Sequence, residues 1–194
     1  MLVSPVIVIG TPRSGTTVVT KWLMDHYGVI MELDGFTTIN ERKGLMDTRE
    51  DKIVVQLNTG LNIGEITKKH YKYHMRRYFK EMKKKANGQP WGFKDPRLTH
   101  GLDWVIKHFR GNLTIIRTKR RADLVMRSMI HKAGFTPEKA ANTINGYNNF
   151  FKRVLQYPGM PVIEVLFDGS RKMPDNFVKS FNQSLIDRKR LLER

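Results

Sequence analysis

The sequence predicts an α/β fold, a three-layer αβα sandwich with a central parallel sheet. Short runs rich in β-branched residues, typical of buried parallel strands, begin at Val6, Leu113 and Pro161. Segments with the three- and four-residue apolar period of amphipathic helices separate them, and this alternation favours a parallel sheet. The chain has 194 residues, enough for one domain with a sizeable core, so we expect residues 1–194 to form a single domain.

The first predicted strand, Val6 to Ile9, and the first predicted helix, Val18 to His26, enclose a loop over residues 10–17. A glycine-bearing loop between a strand and a helix binds anions. Its backbone N–H groups converge on the ligand, and the positive end of the helix dipole points at it. This pattern therefore predicts an anion-binding site in the loop. The alternative is a turn that only connects the strand to the helix.

This loop departs from the nucleotide P-loop pattern G-x-x-x-x-G-K-[ST] at one position. Gly10, Gly15 and Thr17 have the required spacing, but Thr16 stands where the lysine belongs, and the cation of the loop is Arg13. The P-loop lysine reaches the β- and γ-phosphates, so its replacement argues against an ordinary ATPase or GTPase.

The string Pro-Arg-Ser-Gly-Thr-Thr over residues 12–17 resembles the 5′-phosphosulfate-binding loop of sulfotransferases that use 3′-phosphoadenosine 5′-phosphosulfate (PAPS). The resemblance implies a P-loop-like fold, PAPS as the donor and adenosine 3′,5′-bisphosphate (PAP) as its product. It also implies that the donor is bound by Thr11, Pro12, Arg13, Ser14, Gly15, Thr16 and Thr17.

A second string, Trp-Gly-Phe-Lys-Asp-Pro-Arg over residues 91–97, is similar to the "W-G-x-K-D-P-R" stretch of many bacterial and phage-type sulfotransferases. Lys94 ends a short predicted strand here, and open α/β sheets bind ligands at the carboxyl ends of their strands. We therefore expect Lys94 to face the site, with Arg97 beside it. The alternative is a surface pair of Lys94 with Asp95.

A third segment resembles the part of the family that binds the 3′-phosphate of the nucleotide through an arginine and a serine. Arg120 lies in a predicted basic turn over 118–121, and Ser128 follows eight positions later. A guanidinium fork suits a dianionic phosphate, and a hydroxyl completes the set of donors. Arg117 is the alternative for the arginine because it ends the predicted strand 113–117 directly.

The implied reaction is sulfuryl transfer to a hydroxyl or amine, with Arg13 at the bridging oxygen and Lys94 assisting it. A general base must deprotonate the acceptor, and the candidates are Glu41, Asp47 and His100. In the heparan-modifying branch of the family a glutamate lies at a comparable distance past the loop, which favours Glu41, with His100 second. The segment 37–47 is predicted to be an irregular loop, and it partly resembles a family stretch through Asn40, Lys43, Gly44 and Asp47.

The remaining elements follow from apolar spacing and from turn residues. They are a short strand over 27–33, a helix over 47–57 with Asp47 or Thr48 as N-cap, helices over 66–86, 99–109, 122–132 and 138–156, a strand over 161–167, a helix over 174–186, and a charged tail over 187–194 expected to fray.

Composition narrows the remaining possibilities. The chain has no cysteine, which excludes disulfides and thiolate metal sites, and fixed cations make a metal unnecessary for the implied reaction. No apolar run approaches the ~20 residues of a membrane span, and the N-terminus lacks a signal peptide pattern. We therefore expect a cytoplasmic protein. The reaction that the resemblance implies makes a small-molecule or glycan acceptor its partner.

Two alternatives to a sulfotransferase remain open. The first is a P-loop-type kinase of nucleotides or small molecules, which would bind ATP with magnesium. The second is a nucleic-acid-binding module, because the net charge is +17 and the predicted helix 66–86 interleaves basic residues with aromatic ones. A solvated face over a core stripe is the preferred interpretation of that helix, so nucleic acid is the less favoured partner.

Overall fold

The computed structural model describes residues 4–41, 44–109, 112–154, 162–167 and 173–192. In chain order the elements are β1 Val6–Gly10, α1 Thr16–Tyr27, β2 Phe36–Glu41, β3 Gly44–Asp51, α2 Lys52–Asn62, α3 Lys68–Ala86, β4 Gly92–Lys94, α4 Leu102–Phe109, β5 Thr114–Arg120, α5 Ala122–Ala133, α6 Pro137–Val154, β6 Val162–Phe167 and α7 Asp175–Leu192. Among the helices described, none is both long and apolar enough to cross a membrane.

The central sheet has four parallel strands in the order β4-β1-β5-β6, which confirms the predicted fold class. Alternate residues of β1 point to opposite faces. Ile7 and Ile9 pack with residues of α2, α3, α4 and α6, whereas Val6 and Val8 pack with residues of α1 and α7. The sheet is therefore covered by helices on both faces, as a three-layer αβα sandwich requires.

The order of the strands determines at which edge of the sheet the candidate site lies. From β1 the chain forms β4 on one side of β1 and then β5 on the other. The strands are parallel, so Gly10, Lys94 and Arg120 end at the same edge of the sheet. Open α/β sheets bind ligands at such a reversal of strand order, outside the carboxyl ends of the strands.

Residues 36–51 differ from the prediction. The segment 37–47 is not an irregular loop, because β2 and β3 pair antiparallel, with Thr38 opposite Asp47 and Glu41 opposite Gly44. The helix predicted over 47–57 consequently begins later, at Lys52. Its N-cap is Asp51, whose carboxylate accepts from the backbone N–H groups of Ile53 and Val54 at 2.9 and 3.2 Å.

Three other segments differ from the prediction in the type or the bounds of their secondary structure. Residues 27–33 form no strand, because only Ile30 bridges to Trp91 between the left-handed glycines 28 and 35. Residues 118–120 are not a turn, since β5 stays paired with β6 as far as Arg120 and Phe167. The tail is helical to Leu192 rather than frayed from 187.

Candidate active site

The loop after β1 is built from two left-handed residues. Arg13 has φ 72° and Gly15 has φ 103°, and the N–H of Ser14 donates to the carbonyl of Thr11 at 3.0 Å. Gly15 is the N-cap residue of α1, so the first backbone N–H groups of that helix are directed into the loop. The predicted strand, loop and helix are thus assembled in the arrangement that binds anions.

Two glycines allow this loop to lie against the ends of β5 and β6. A Cβ on Gly15 would come within 2.5 Å of the Phe167 ring, and a Cβ on Gly10 would lie 2.1 Å from the Thr118 hydroxyl and 2.9 Å from the Thr118 carbonyl oxygen. The hydroxyls of Ser14 and Thr118 are hydrogen bonded at 2.6 Å and are both buried. The loop is therefore fixed to β5 by close packing and by a side-chain bond.

The two predicted donor-binding segments meet at Arg13. Its Nε donates to the hydroxyl of Ser128 on α5 at 3.0 Å, and its carbonyl oxygen accepts from Nη1 of Arg120 at 3.4 Å. Arg120 and Ser128, predicted from an eight-residue spacing, thus contact the same loop residue, one through its backbone and the other through its side chain. Two guanidinium groups and a hydroxyl converge where the loop meets α5.

The two arginines of β5 have different surroundings. Arg117 donates from Nη1 to Glu164 on β6 at 2.9 Å, and its guanidinium lies 4.5 Å from the centre of the Phe151 ring. The buried Nε of Arg120 has no hydrogen-bond partner within the described residues, and the same is true of the Nε of Arg117. Arg117 is therefore neutralised by a carboxylate and stacked on a ring, whereas Arg120 contacts a neutral carbonyl.

A cavity of about 220 Å³ lies between the loop, the end of β5 and helices α5 and α6. Its basic lining consists of Arg117, Lys119, Arg120 and Arg121. Apolar side chains of α5 and α6, Val125 and Ile144 among them, complete the wall. A cavity lined by both cationic and apolar groups suits a ligand that is anionic in part and apolar in part.

Lys94 reaches the other side of the loop from the end of β4. Its side chain is 2% exposed, and its Nζ lies 2.6 Å from Oε1 of Glu50 and 3.5 Å from the hydroxyl of Thr17 in the first turn of α1. Burial lowers the pKa of Lys94, although the carboxylate of Glu50 opposes this effect. Thr17 follows Thr16 in the sequence, and Thr16 stands where the P-loop pattern has its lysine. The Lys94 ammonium therefore lies close to that position of the loop.

Glu50 and Asp95 form a buried acidic pair around Arg97. The Arg97 guanidinium contacts Oε2 of Glu50 through Nη2 and lies 2.9 Å from Oδ1 of Asp95 through Nε. The other Asp95 oxygen accepts from Asn58 at 2.9 Å, and Asn58 accepts from the Tyr71 hydroxyl at 2.9 Å. Complete burial raises the pKa of Asp95 to about 6 although Arg97 opposes the rise.

The predicted general bases are not brought together with the loop by any contact within the described part of the chain. His100 is exposed in the turn between β4 and α4. Glu41 ends β2 and Asp47 lies within β3, but both side chains fall outside the described residues, as do Arg42 and Lys43 altogether. Glu41 and His100 therefore stay predictions.

Sequence reasoning missed Glu50. The predicted helix over 47–57 put residue 50 inside a helix, whereas the residue lies near the end of β3. A signal for the start of this helix was present, because Asp51 lies two positions before the apolar run of residues 53–55 and is a better N-cap candidate than Asp47. Within the described ranges, no group of three or more His, Asp or Glu side chains is placed to hold a metal ion.

The parallel sheet with a P-loop-like loop at its carboxyl edge defines the class, an α/β protein with a P-loop-like fold. A model of the sulfotransferase family matches residues 5–158, and the chain belongs to that family. No curated protein matches the chain.

Solved structures share the fold at low identity. A sulfotransferase from Mycobacterium tuberculosis is 15% identical with a TM-score of 0.58, over 96% of this chain and 66% of that one. A sugar kinase from Janibacter is 14% identical with a TM-score of 0.54, over 95% and 93% of the two chains. Shikimate kinase from Bacteroides thetaiotaomicron is 12% identical with a TM-score of 0.50, over 98% and 99%. At these identities the similarity extends to the fold alone.

Proposed function

We propose that the protein transfers a sulfuryl group from PAPS to a hydroxyl or amine of a small-molecule or glycan acceptor, in the cytoplasm. The observation that carries this proposal is the meeting of Arg13, Arg120 and Ser128 between the loop after β1 and helix α5. A nucleotide phosphorylated at both its 5′ and 3′ positions needs two cationic sites a short distance apart. The family provides the reaction type, and this cluster supports the donor.

The residues present suit such a donor. Within the described residues Arg120 contacts a neutral carbonyl, whereas Arg117 is neutralised by Glu164, so the Arg120 guanidinium is the better partner for an anionic group. Arg120 and Ser128 would hold the 3′-phosphate, and the loop N–H groups with Thr16 and Thr17 would hold the 5′-phosphosulfate. The tight packing of Gly10 against Thr118 and of Gly15 against Phe167 holds the loop in this conformation.

The bound donor supplies an activated sulfuryl group on a phosphate leaving group. The chain itself contributes fixed positive charge at the atoms where negative charge accumulates, and preorganised charge of this kind often makes the greatest contribution to catalysis. Arg13 and Lys94 lie on the two sides of the loop and are already oriented by Ser128 and Glu50. Glu41 is proposed as the base that takes the acceptor proton, with His100 as the second candidate.

A kinase is the second candidate, and one observation favours it. Lys94 brings an ammonium to Thr17 beside the position of the missing P-loop lysine, so the loop does have a second cation. The fold is shared with kinases as well as with a sulfotransferase. A nucleic-acid role rests on the exposed basic residues of α3, such as Lys69, Arg76 and Lys80, and no contact favours it over a solvated face.

Calorimetric titration of the wild type with PAP, beside ATP with magnesium, tests the proposal. We expect binding of PAP and no heat from ATP with magnesium. Binding of ATP with magnesium together with indifference to PAP would replace the sulfotransferase by the kinase.

A further inference from the structure

Glu50 joins two cations at the edge of the proposed donor site. Its Oε1 accepts from the Lys94 ammonium at 2.6 Å, and its Oε2 contacts the Arg97 guanidinium. The Glu50 side chain is 11% exposed and that of Lys94 is 2% exposed. Each carboxylate oxygen is thus used by one cation, within a largely buried environment.

Neighbouring polar residues hold the guanidinium of Arg97 in its position beside Glu50. Arg97 is held by Asp95, and Asp95 by Asn58, so the guanidinium that shares Glu50 is itself immobilised. Glu50 lies near the end of β3, in the two-stranded sheet, whereas Lys94 ends β4 of the central sheet. The carboxylate is therefore a link between the hairpin and the site.

Lys94 depends on this link for its direction. A lysine side chain has a flexible four-carbon stem, and a buried ammonium adopts one position only when a fixed acceptor defines it. The Thr17 hydroxyl, at 3.5 Å from the ammonium, is a longer and neutral contact. The ion pair with Glu50 at 2.6 Å therefore constrains the Lys94 ammonium more strongly than the Thr17 hydroxyl does.

We propose that Glu50 is a positioning residue, which holds the Lys94 ammonium against the first turn of α1 so that Lys94 can bind the 5′-phosphate end of the donor. This inference rests on the proposed function. Both oxygens of Glu50 are already committed to cations, so the carboxylate positions Lys94 rather than taking a proton from the acceptor.

A double-mutant cycle on nucleotide binding tests the proposal. The four proteins are the wild type, Glu50→Gln, Lys94→Gln and the double variant, titrated with PAP by calorimetry. Glu32→Gln is the matched control, because Glu32 also forms a lysine ion pair, at 2.8 Å with Lys85, outside the proposed site. Thermal unfolding of each variant reports whether it folds, and Glu50→Asp replaces Glu50→Gln in the cycle if that variant does not.

We expect Glu50→Gln to weaken PAP binding about tenfold in the wild-type background and less than about twofold when Lys94 is already glutamine. Glu32→Gln should leave the affinity unchanged. An equal loss in both backgrounds, or no loss in either, would overturn the positioning role while PAP binding by the wild type still supports the sulfotransferase. If the wild type binds ATP with magnesium instead, the same cycle is measured with that nucleotide, and a wild type that binds neither overturns both proposals.

Discussion

The Nε of Arg13 donates to the Ser128 hydroxyl at 3.0 Å, joining residues that are 115 positions apart in the sequence. One lies in the loop after the first strand and the other on the helix after the third strand of the sheet in chain order. The bond brings the two segments that the sequence assigns to the two phosphate groups of the donor into contact. It is therefore the most direct structural support for a single site that spans both.

Removal of this hydroxyl should weaken nucleotide binding. Ser128→Ala takes away one partner of Arg13 and one proposed donor to the 3′-phosphate, and a hydrogen bond to a charged group contributes about 1.5–3 kcal/mol. Titration with PAP should show an affinity loss of that size. Thr143→Ala is the control, since its hydroxyl donates to a carbonyl within α6. Equal affinity of the Ser128 variant and the wild type would contradict the assignment of Ser128.

Substitutions of the two arginines of β5 should affect different properties, nucleotide binding for Arg120 and stability for Arg117. Arg120→Ala should weaken PAP binding by about 2–3 kcal/mol, because the guanidinium is proposed to pair with the 3′-phosphate. Arg117→Ala should mainly lower stability, because it removes the Glu164 pair and the stacking on Phe151. Binding and thermal unfolding are measured for both variants. The reverse pattern would assign the 3′-phosphate to Arg117.

Gly15 should tolerate no side chain. An alanine there needs φ 103° and places its Cβ 2.5 Å from the buried Phe167 ring, so overpacking of about 1–3 kcal/mol adds to the backbone strain. Gly88→Ala is the control, because Gly88 has φ 86° with nothing within 4 Å of the added Cβ. Denaturant unfolding should show a larger loss for Gly15→Ala. Similar losses for both would mean that the loop does not pack on Phe167.

Asp95 should make stability depend on pH. Its pKa is about 6 in the folded protein against 3.8 for the ordinary group, so the folded state binds a proton more tightly than the unfolded state. As the pH falls from 7 to 4 the wild type should therefore gain stability relative to Asp95→Asn, by about 2 kcal/mol. Urea unfolding of both proteins across this range measures the difference. If the stability advantage of the wild type over Asp95→Asn instead shrinks as the pH falls, the attraction of Arg97, rather than burial, determines the pKa of Asp95.

Much of the fold could be predicted from local pattern. Buried strands such as Val6–Gly10 have continuous β-branched runs, and α3 has a clear apolar stripe ending at a left-handed Asn87. The hairpin β2–β3 could not be predicted this way, because it pairs outside the central sheet and its polar residues show no alternation. The extension of β5 to Arg120 depends on pairing with β6, which local composition does not reveal.

The candidate site, like the fold, could be predicted from local sequence only in part. The anion loop and the spacing of Arg120 and Ser128 are local features, and their residues do meet in space. The start of α2 at Lys52 could be predicted from Asp51, but the role of Glu50 is recognised only through its partners, since Lys94 and Arg97 lie more than forty positions away in the chain and no spacing rule connects them. Contacts between distant segments set the electrostatics of this site.

We propose that one site binds a nucleotide through both a 3′-phosphate and a 5′-phosphate. The most direct test compares the affinity of the wild type for PAP with that for adenosine 5′-monophosphate, which lacks only the 3′-phosphate, and repeats both titrations on Arg120→Ala. We expect the wild type to bind PAP about 30-fold or more tightly, and Arg120→Ala to lose most of this preference. Equal affinities of the wild type for the two nucleotides would contradict a site built for both phosphates.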